Sequence, residues 1–73
     1  MKIIIESTTQ IVEASGVQCR LWEGVTEKGI EVQCLIVRIA ASKNADLSQF
    51  EAELQEQRAP SPMQMAFPTR LVL

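Results

Sequence analysis

Two thiols, Cys19 and Cys34, and three carboxylates, Glu13, Glu23 and Glu31, are the groups in this 73-residue chain that could do chemistry. Cys19 and Cys34 read as neighbours across a hairpin, where they could form a cross-strand disulfide or a redox switch. The plainer role is favoured. Both sit among Val, Leu and Ile, where a thiol behaves as a small hydrophobe. A reactive thiol also needs a nearby cation or helix N-terminus to lower its pKa, and Arg20, next to Cys19 in sequence, belongs to the other face of its strand. The three glutamates could pair for acid–base work, but in strands they read as ordinary cross-strand charge pattern. The chain has no His, which removes the imidazole base, the Ser-His-Asp and Cys-His arrangements and any His-ligated metal. Two Cys are too few for a thiolate-only zinc site, which takes four ligands. Gly24 and Gly29 do not precede a helix, so no phosphate-cradling loop is present. The expectation is a protein that is not an enzyme and takes no cofactor and no metal.

Binding is the alternative to catalysis. Trp22 is the only Trp, and its strand pattern places it beside Arg20. Trp and Arg are the types enriched in interface hot spots. Leu35, Val37 and Ile39 are expected on the same sheet face as Trp22, with Ile11. Met63, Met65 and Phe67 form a second apolar cluster, and Met adapts well to irregular surfaces. The expected partner-binding residues are therefore Arg20, Trp22, Leu35, Val37, Ile39, Met63, Met65 and Phe67. Their plain counterparts are a local Arg20–Trp22 stack and a tail that packs on its own sheet. Lys+Arg of 7 against Asp+Glu of 9 gives a formal net charge of -2, whereas duplex binders carry a basic excess. Single-stranded nucleic acid, bound through Trp22, Arg20 and Arg38, ranks third, since such sites pair stacking aromatics with a basic groove.

The elements that must position these residues follow from periodicity. Val17, Cys19 and Leu21 alternate with Gln18, Arg20 and Trp22; Ile30, Val32, Cys34 and Ile36 alternate with Glu31, Gln33 and Leu35. Period two predicts a strand in both places. Setting Gly24 opposite Gly29 in the connection pairs Leu21 with Val32, Cys19 with Cys34 and Val17 with Ile36, all on one face. Upstream, Ser15-Gly16 predicts a two-residue turn that pairs Ala14 with Val17 and Val12 with Cys19. Residues 2–14 read as one long strand, or two broken around Ser7-Thr8-Thr9. Asp46 predicts an N-cap for a helix from Leu47, whose Leu47, Phe50 and Leu54 form one narrow apolar stripe. That stripe is expected to cover the Cys19 face, and the acidic remainder of the helix to be solvated. The predicted fold class is α+β: a three-stranded antiparallel meander, one helix packed on one sheet face, then an extended C-terminal tail or edge strand. Residues 1–58 read as a single β-β-β-α domain. Residues 59–73, which hold Pro60, Pro62 and Pro68, read as an apolar tail.

Size sets the remaining expectation. A chain this short buries about 60% of its unfolded surface, and its core alone rarely gives more than about 3–5 kcal/mol. One narrow helix stripe covers one sheet face, while the sequence supplies apolar residues for two. A homodimer covers the second face most simply. The apolar run Ile3–Ile5 is too short for a secretory h-region of about 7–15 residues or a spanning helix of about 20. A cytoplasmic location with reduced thiols is expected.

The stretch Cys19-Arg20-Leu21-Trp22-Glu23-Gly24, followed by Thr26, Gly29 and Ile30 and by Gln49-Phe50-Glu51 and Leu54 in the helix, resembles small uncharacterised bacteriophage and prophage proteins over roughly residues 17–54. The resemblance implies an accessory protein that binds and blocks a host component in the host cytoplasm, and it transfers no site residue. The combined expectation is a small non-catalytic protein-interaction module, a phage-encoded inhibitor of a host protein. The homodimer is its working form, with an unidentified protein partner, no membrane and no small-molecule substrate. The alternative is a structural or assembly accessory subunit that completes a larger complex through its tail.

Overall fold

The computed structural model describes residues 1–62. Three antiparallel strands, β1 (Ile3–Ala14), β2 (Val17–Thr26) and β3 (Glu31–Ile36), form a sheet of order β1-β2-β3, and one helix, α1 (Leu47–Leu54), follows. The fold is α+β, a meander followed by one helix. Met63, Met65 and Phe67 lie outside the described residues.

The first hairpin has the expected register. Ser15 and Gly16 both take positive φ, 51° and 79°, the signature of a two-residue turn whose twist matches that of its strands. Ala14 pairs with Val17 and Val12 with Cys19. Further along, β1 does not break at Ser7-Thr8-Thr9; it bulges. Ser7 pairs with Trp22 and Ile11 with Arg20, so Thr8, Thr9 and Gln10 together oppose Leu21. The surplus is an even number of residues, so alternation survives and the faces stay in phase on both sides. Thr8 fills the bulge. It is fully buried, its hydroxyl donates to the Leu21 carbonyl at 2.8 Å, and it accepts from the Gln10 N–H at 3.2 Å.

The second hairpin corrects the sequence reading. Gly24 is not a turn residue: β2 runs through it to Thr26. The connection is the three residues Glu27-Lys28-Gly29. The Gly29 N–H donates to the Thr26 carbonyl at 2.9 Å, Gly29 has φ 87°, and the Thr26 N–H donates to the Ile30 carbonyl at 2.8 Å. This is a type I turn closed by a left-handed glycine. Leu21 therefore pairs with Leu35, Trp22 with Cys34 and Arg20 with Ile36. The register differs by three residues from the glycine-to-glycine pairing, and an odd shift exchanges the faces of β3. Cys19 and Cys34 are free thiols on opposite faces, and no disulfide can join them. Leu35 shares the face of Cys19 and Leu21, while Cys34 and Ile36 share that of Trp22.

Helix α1 begins where expected. The Asp46 side chain caps it by accepting from the Gln49 N–H at 3.1 Å. Its position is the second correction. Phe50 and Leu54 face Trp22, Arg20 and Ile36 across a groove, so α1 lies on the Trp22 face and not on the Cys19 face. It stands well off the sheet: no Cα of α1 is within 8 Å of a strand Cα. None of its residues is buried, and Leu47 and Leu54 are 63% and 38% exposed. A fully buried Leu truncated to Ala costs about 2–5 kcal/mol. At this exposure Leu54→Ala is expected to cost about 1 kcal/mol, read as a small shift in the urea midpoint at unchanged m-value.

The chain after α1 changes sides at the outer edge of β1. The Ser7 hydroxyl donates to the Glu56 carbonyl at 3.0 Å. The Arg58 N–H donates to the Ser7 carbonyl at 3.2 Å, and the Arg58 carbonyl accepts from the Thr9 N–H at 3.0 Å. Arg58 thus makes a parallel bridge with Thr8, which occupies part of an edge that would otherwise be open to further pairing. From there Ser61 reaches Glu23 on the Leu21 face. No helix among the described residues is long and apolar enough to cross a membrane.

Candidate functional site

Two features stand out from the solvated surface: a groove on the Trp22 face and a buried carboxylate on the other.

The groove exists because α1 is held off the sheet. Its floor comes from alternate residues of three strands, Ile5 and Ser7 of β1, Arg20 and Trp22 of β2 and Ile36 of β3. Val37, Arg38 and Ile39 form one wall, and Phe50 and Leu54 the other. It encloses about 870 Å³. Trp22, Ile36 and Phe50 are half-buried, whereas Val37, Ile39 and Leu54 are exposed. Its arginines differ in freedom. The Arg20 guanidinium donates to the Thr8 carbonyl at 3.1 Å, which ties it to the bulge. Arg58 is engaged by carboxylates, at 2.9 Å from Glu23 and 3.5 Å from Glu6. Arg38 is exposed and has no hydrogen-bond or ion-pair partner among the described residues. With Glu6, Glu53 and Glu56 also at the groove, its charges balance, and its character is an apolar trough with a mixed polar rim. Of the residues expected to bind a partner, the structure brings together Arg20, Trp22, Val37 and Ile39. It places Leu35 on the opposite face.

Glu23 is the feature that sequence reasoning missed. It continues the Val17, Cys19, Leu21 face, so its side chain points where apolar residues belong, and it is 2% exposed. A buried carboxylate survives only when its oxygens are bonded. One oxygen accepts from the Ser61 N–H at 3.0 Å and from Arg58 Nη1 at 2.9 Å; the other accepts from the Ser61 hydroxyl at 3.0 Å and from Gln33 Nε2 at 3.3 Å. The Ser61 N–H does most to hold the Glu23 carboxyl down at about 2; burial opposes it, and the Ser61 hydroxyl, Arg58 and Gln33 assist. Every donor serves the charged form. The sequence did carry one signal: a charged residue in phase with an apolar strand face demands a partner. Two of its partners, Arg58 and Ser61, lie 35 and 38 residues away, where no local pattern can show them. Glu31 stands nearby at the mouth of a second cleft with Gly24, Val25 and Pro62, while Glu13 pairs with Gln18 at the far end of the first hairpin. The three carboxylates do not form one site.

Cys19 is buried and donates weakly to the Val17 carbonyl at 3.6 Å. Burial pushes the Cys34 thiol up, away from thiolate chemistry. Among the described residues, no three His, Cys, Asp or Glu side chains come together to hold a metal. No family model matches the chain, and neither the curated proteins nor the solved structures contain a match to it.

Proposed function

We propose that the protein is a non-catalytic protein-interaction module, and that the groove between the sheet and α1 is the surface it binds with. The observation that carries this reading is the groove itself. It is an apolar trough built from three strands, a loop and a helix, with Trp22 on its floor and exposed Val37, Ile39 and Leu54 on its walls. Contiguous apolar surface of this kind marks interaction sites on soluble proteins. Catalysis is disfavoured because the one strongly perturbed acid, Glu23, spends its oxygens on bonds within the fold. The first occupant is a second copy of the chain, since a two-fold dimer needs a single self-complementary patch. The phage resemblance implies a host protein as a further partner, bound through the same trough in the cytoplasm and inhibited by being bound.

Sedimentation equilibrium tests the reading. The full chain is expected to run as a dimer, and Trp22→Glu to weaken it by at least about 30-fold in Kd, the roughly 2 kcal/mol that defines a hot spot. A full-length monomer at high concentration, with Trp22→Glu as stable as the parent, would remove the groove as an interface.

A further inference from the structure

We infer that two copies of the chain join edge to edge through the start of β1, residues 2–6, as antiparallel strands centred on Ile4. This rests on the reading of a second copy as the first partner, and names the strand that joins the two.

The first observation is a stretch of open edge. β1 is an outer strand of the sheet. The Arg58 N–H donates to the Ser7 carbonyl and the Arg58 carbonyl accepts from the Thr9 N–H, so the outer edge is taken there. The Ser7 carbonyl therefore points outward, and alternation turns the N–H and C=O of Ile5 and Ile3 the same way. Lys2 is in the other phase and points inward, where its carbonyl accepts from the Glu27 N–H at 2.9 Å. Among the described residues, no backbone bond reaches the outer groups of Ile3 and Ile5. Proteins commonly guard an edge with a proline, a charge or a bulge, and Ile3-Ile4-Ile5 has none of these. Ile3 and Ile4 are 39% and 76% exposed.

The second observation is self-complementarity. Only residues with outward backbone groups can bond across the edge, so Ile3 and Ile5 must pair among themselves. With Ile4 on the two-fold axis, Ile3 bonds the partner's Ile5, Ile4 meets the partner's Ile4, and Lys2 meets the partner's Glu6. Each contact repeats across the axis, as a two-fold requires. Lys2, Ile4 and Glu6 share one face and occupy non-hydrogen-bonded positions, where facing side chains stand closest. Lys2 is exposed and has no ion-pair partner among the described residues. Glu6 holds Arg58 Nε at 3.5 Å, yet its side chain is 73% exposed, which leaves room for a second cation. Neighbouring registers fail. Sliding one strand by two residues sets Lys2 against Ile4 in one direction. In the other it sets Ile3 against Ser7, whose carbonyl Arg58 already holds. The matched pairing makes one six-stranded sheet. It places the partner's Ile3 beside Ile5, which lines the Trp22 groove, so the second strand extends the groove floor.

Charge exchange tests the register, by sedimentation equilibrium of the full chain. Lys2→Glu alone and Glu6→Lys alone are each expected to weaken the dimer by about 10-fold in Kd or more, since each turns two facing attractions into two repulsions. An equal mixture of the two variants is expected to form a heterodimer as tight as the parent dimer, because every facing pair is then of opposite sign. In a Cys34→Ser background, Ile4→Cys is expected to form an intermolecular disulfide on mild oxidation, its facing Cα atoms being about 4.5 Å apart. Ile3→Cys, about 7–8 Å from its own copy across the diagonal, is not. Single variants that dimerise as the parent does, a mixture that stays monomeric, or faster crosslinking at position 3 than at position 4 would each overturn the inference. A dimer that Trp22→Glu weakens and charge exchange leaves intact removes the edge and keeps the groove. A dimer that charge exchange governs and Trp22→Glu leaves intact keeps the edge and removes the groove. A full-length monomer at high concentration overturns both.

Discussion

Glu23→Ala is expected to cost about 3–5 kcal/mol, the range for breaking a buried, hydrogen-bonded ion pair by removing one partner. In a domain whose core supplies only about 3–5 kcal/mol, that loss is comparable to the whole stability and brings folded and unfolded chains to similar populations at room temperature. The loss is not confined to the Arg58 bond. The Ser61 N–H and hydroxyl and the Gln33 amide lose their acceptor together, and the chain end loses its attachment to β2. Glu31→Ala, on an exposed side chain one strand away, should change stability by at most about 0.5 kcal/mol. Urea denaturation of the two variants side by side separates a structural carboxylate from a solvated one.

The same carboxyl predicts an acid response. Its pKa falls from 4.5 in the unfolded chain to about 2 in the folded one. A depressed carboxylate stabilises the fold in full above the unfolded value and loses that contribution as pH falls through the folded one. Stability should therefore decline between about pH 5 and pH 2, by about 3 kcal/mol at most given that Arg58 is 38% exposed and partly screened. Glu23→Gln, which cannot titrate, should flatten that decline. An unchanged slope in Glu23→Gln would show that other acids carry it.

The second large effect belongs to the next residue. Gly24→Ala is expected to cost about 3 kcal/mol or more. An added Cβ would overlap the Ile4 carbonyl oxygen and lie 2.7 Å from Ile5 Cα. Both obstacles are backbone of β1 and cannot swing aside, so the strands must part and the Ile4–Val25 and Ile5–Gly24 pairs loosen. Overpacking against a side chain usually costs about 1–3 kcal/mol, and here no side chain is available to yield. Gly16→Ala is the contrast. Its Cβ would meet open space, leaving only the strain of a positive φ, about 1 kcal/mol. If the two variants melt together, the close approach of β1 to β2 is not what selects glycine at position 24.

These two neighbours also mark the limit of what could be read from the chain. The first hairpin was legible because Ser15-Gly16 has one natural turn geometry and the alternation on both sides agrees with it. The meander, the helix and the Asp46 cap were legible for the same reason: local pattern and structure coincide. The second register was not. Gly24 looks like turn chemistry, yet its lack of a side chain serves the contact with Ile4 and Ile5. Since residues 32–39 supply apolar side chains in both phases, Val32, Cys34 and Ile36 in one and Leu35, Val37 and Ile39 in the other, a pairing displaced by three residues looks as well buried in the sequence as the true one. That displacement put Leu35 with Trp22 and the helix over Cys19. The groove residues Arg20, Trp22, Val37 and Ile39 were recognisable as types. The trough they form depends on α1 standing clear of the sheet, which no periodicity encodes.

The Glu23–Arg58 bond joins residues 35 apart in sequence, while both hairpins close over two or three residues. Folding is therefore expected to run on two clocks. Hairpins form in about 1–10 μs, and a contact of long sequence separation repays its loop-closure entropy only once its docking surface exists. Glu23 can lose its water only after β1 and β2 have paired and the helical segment has brought Arg58 to the edge. Until then its carboxylate stays hydrated in the middle of the meander, and a half-made sheet keeps a charge on the very face it will later bury. Partly folded chains are thereby discouraged from meeting through that face.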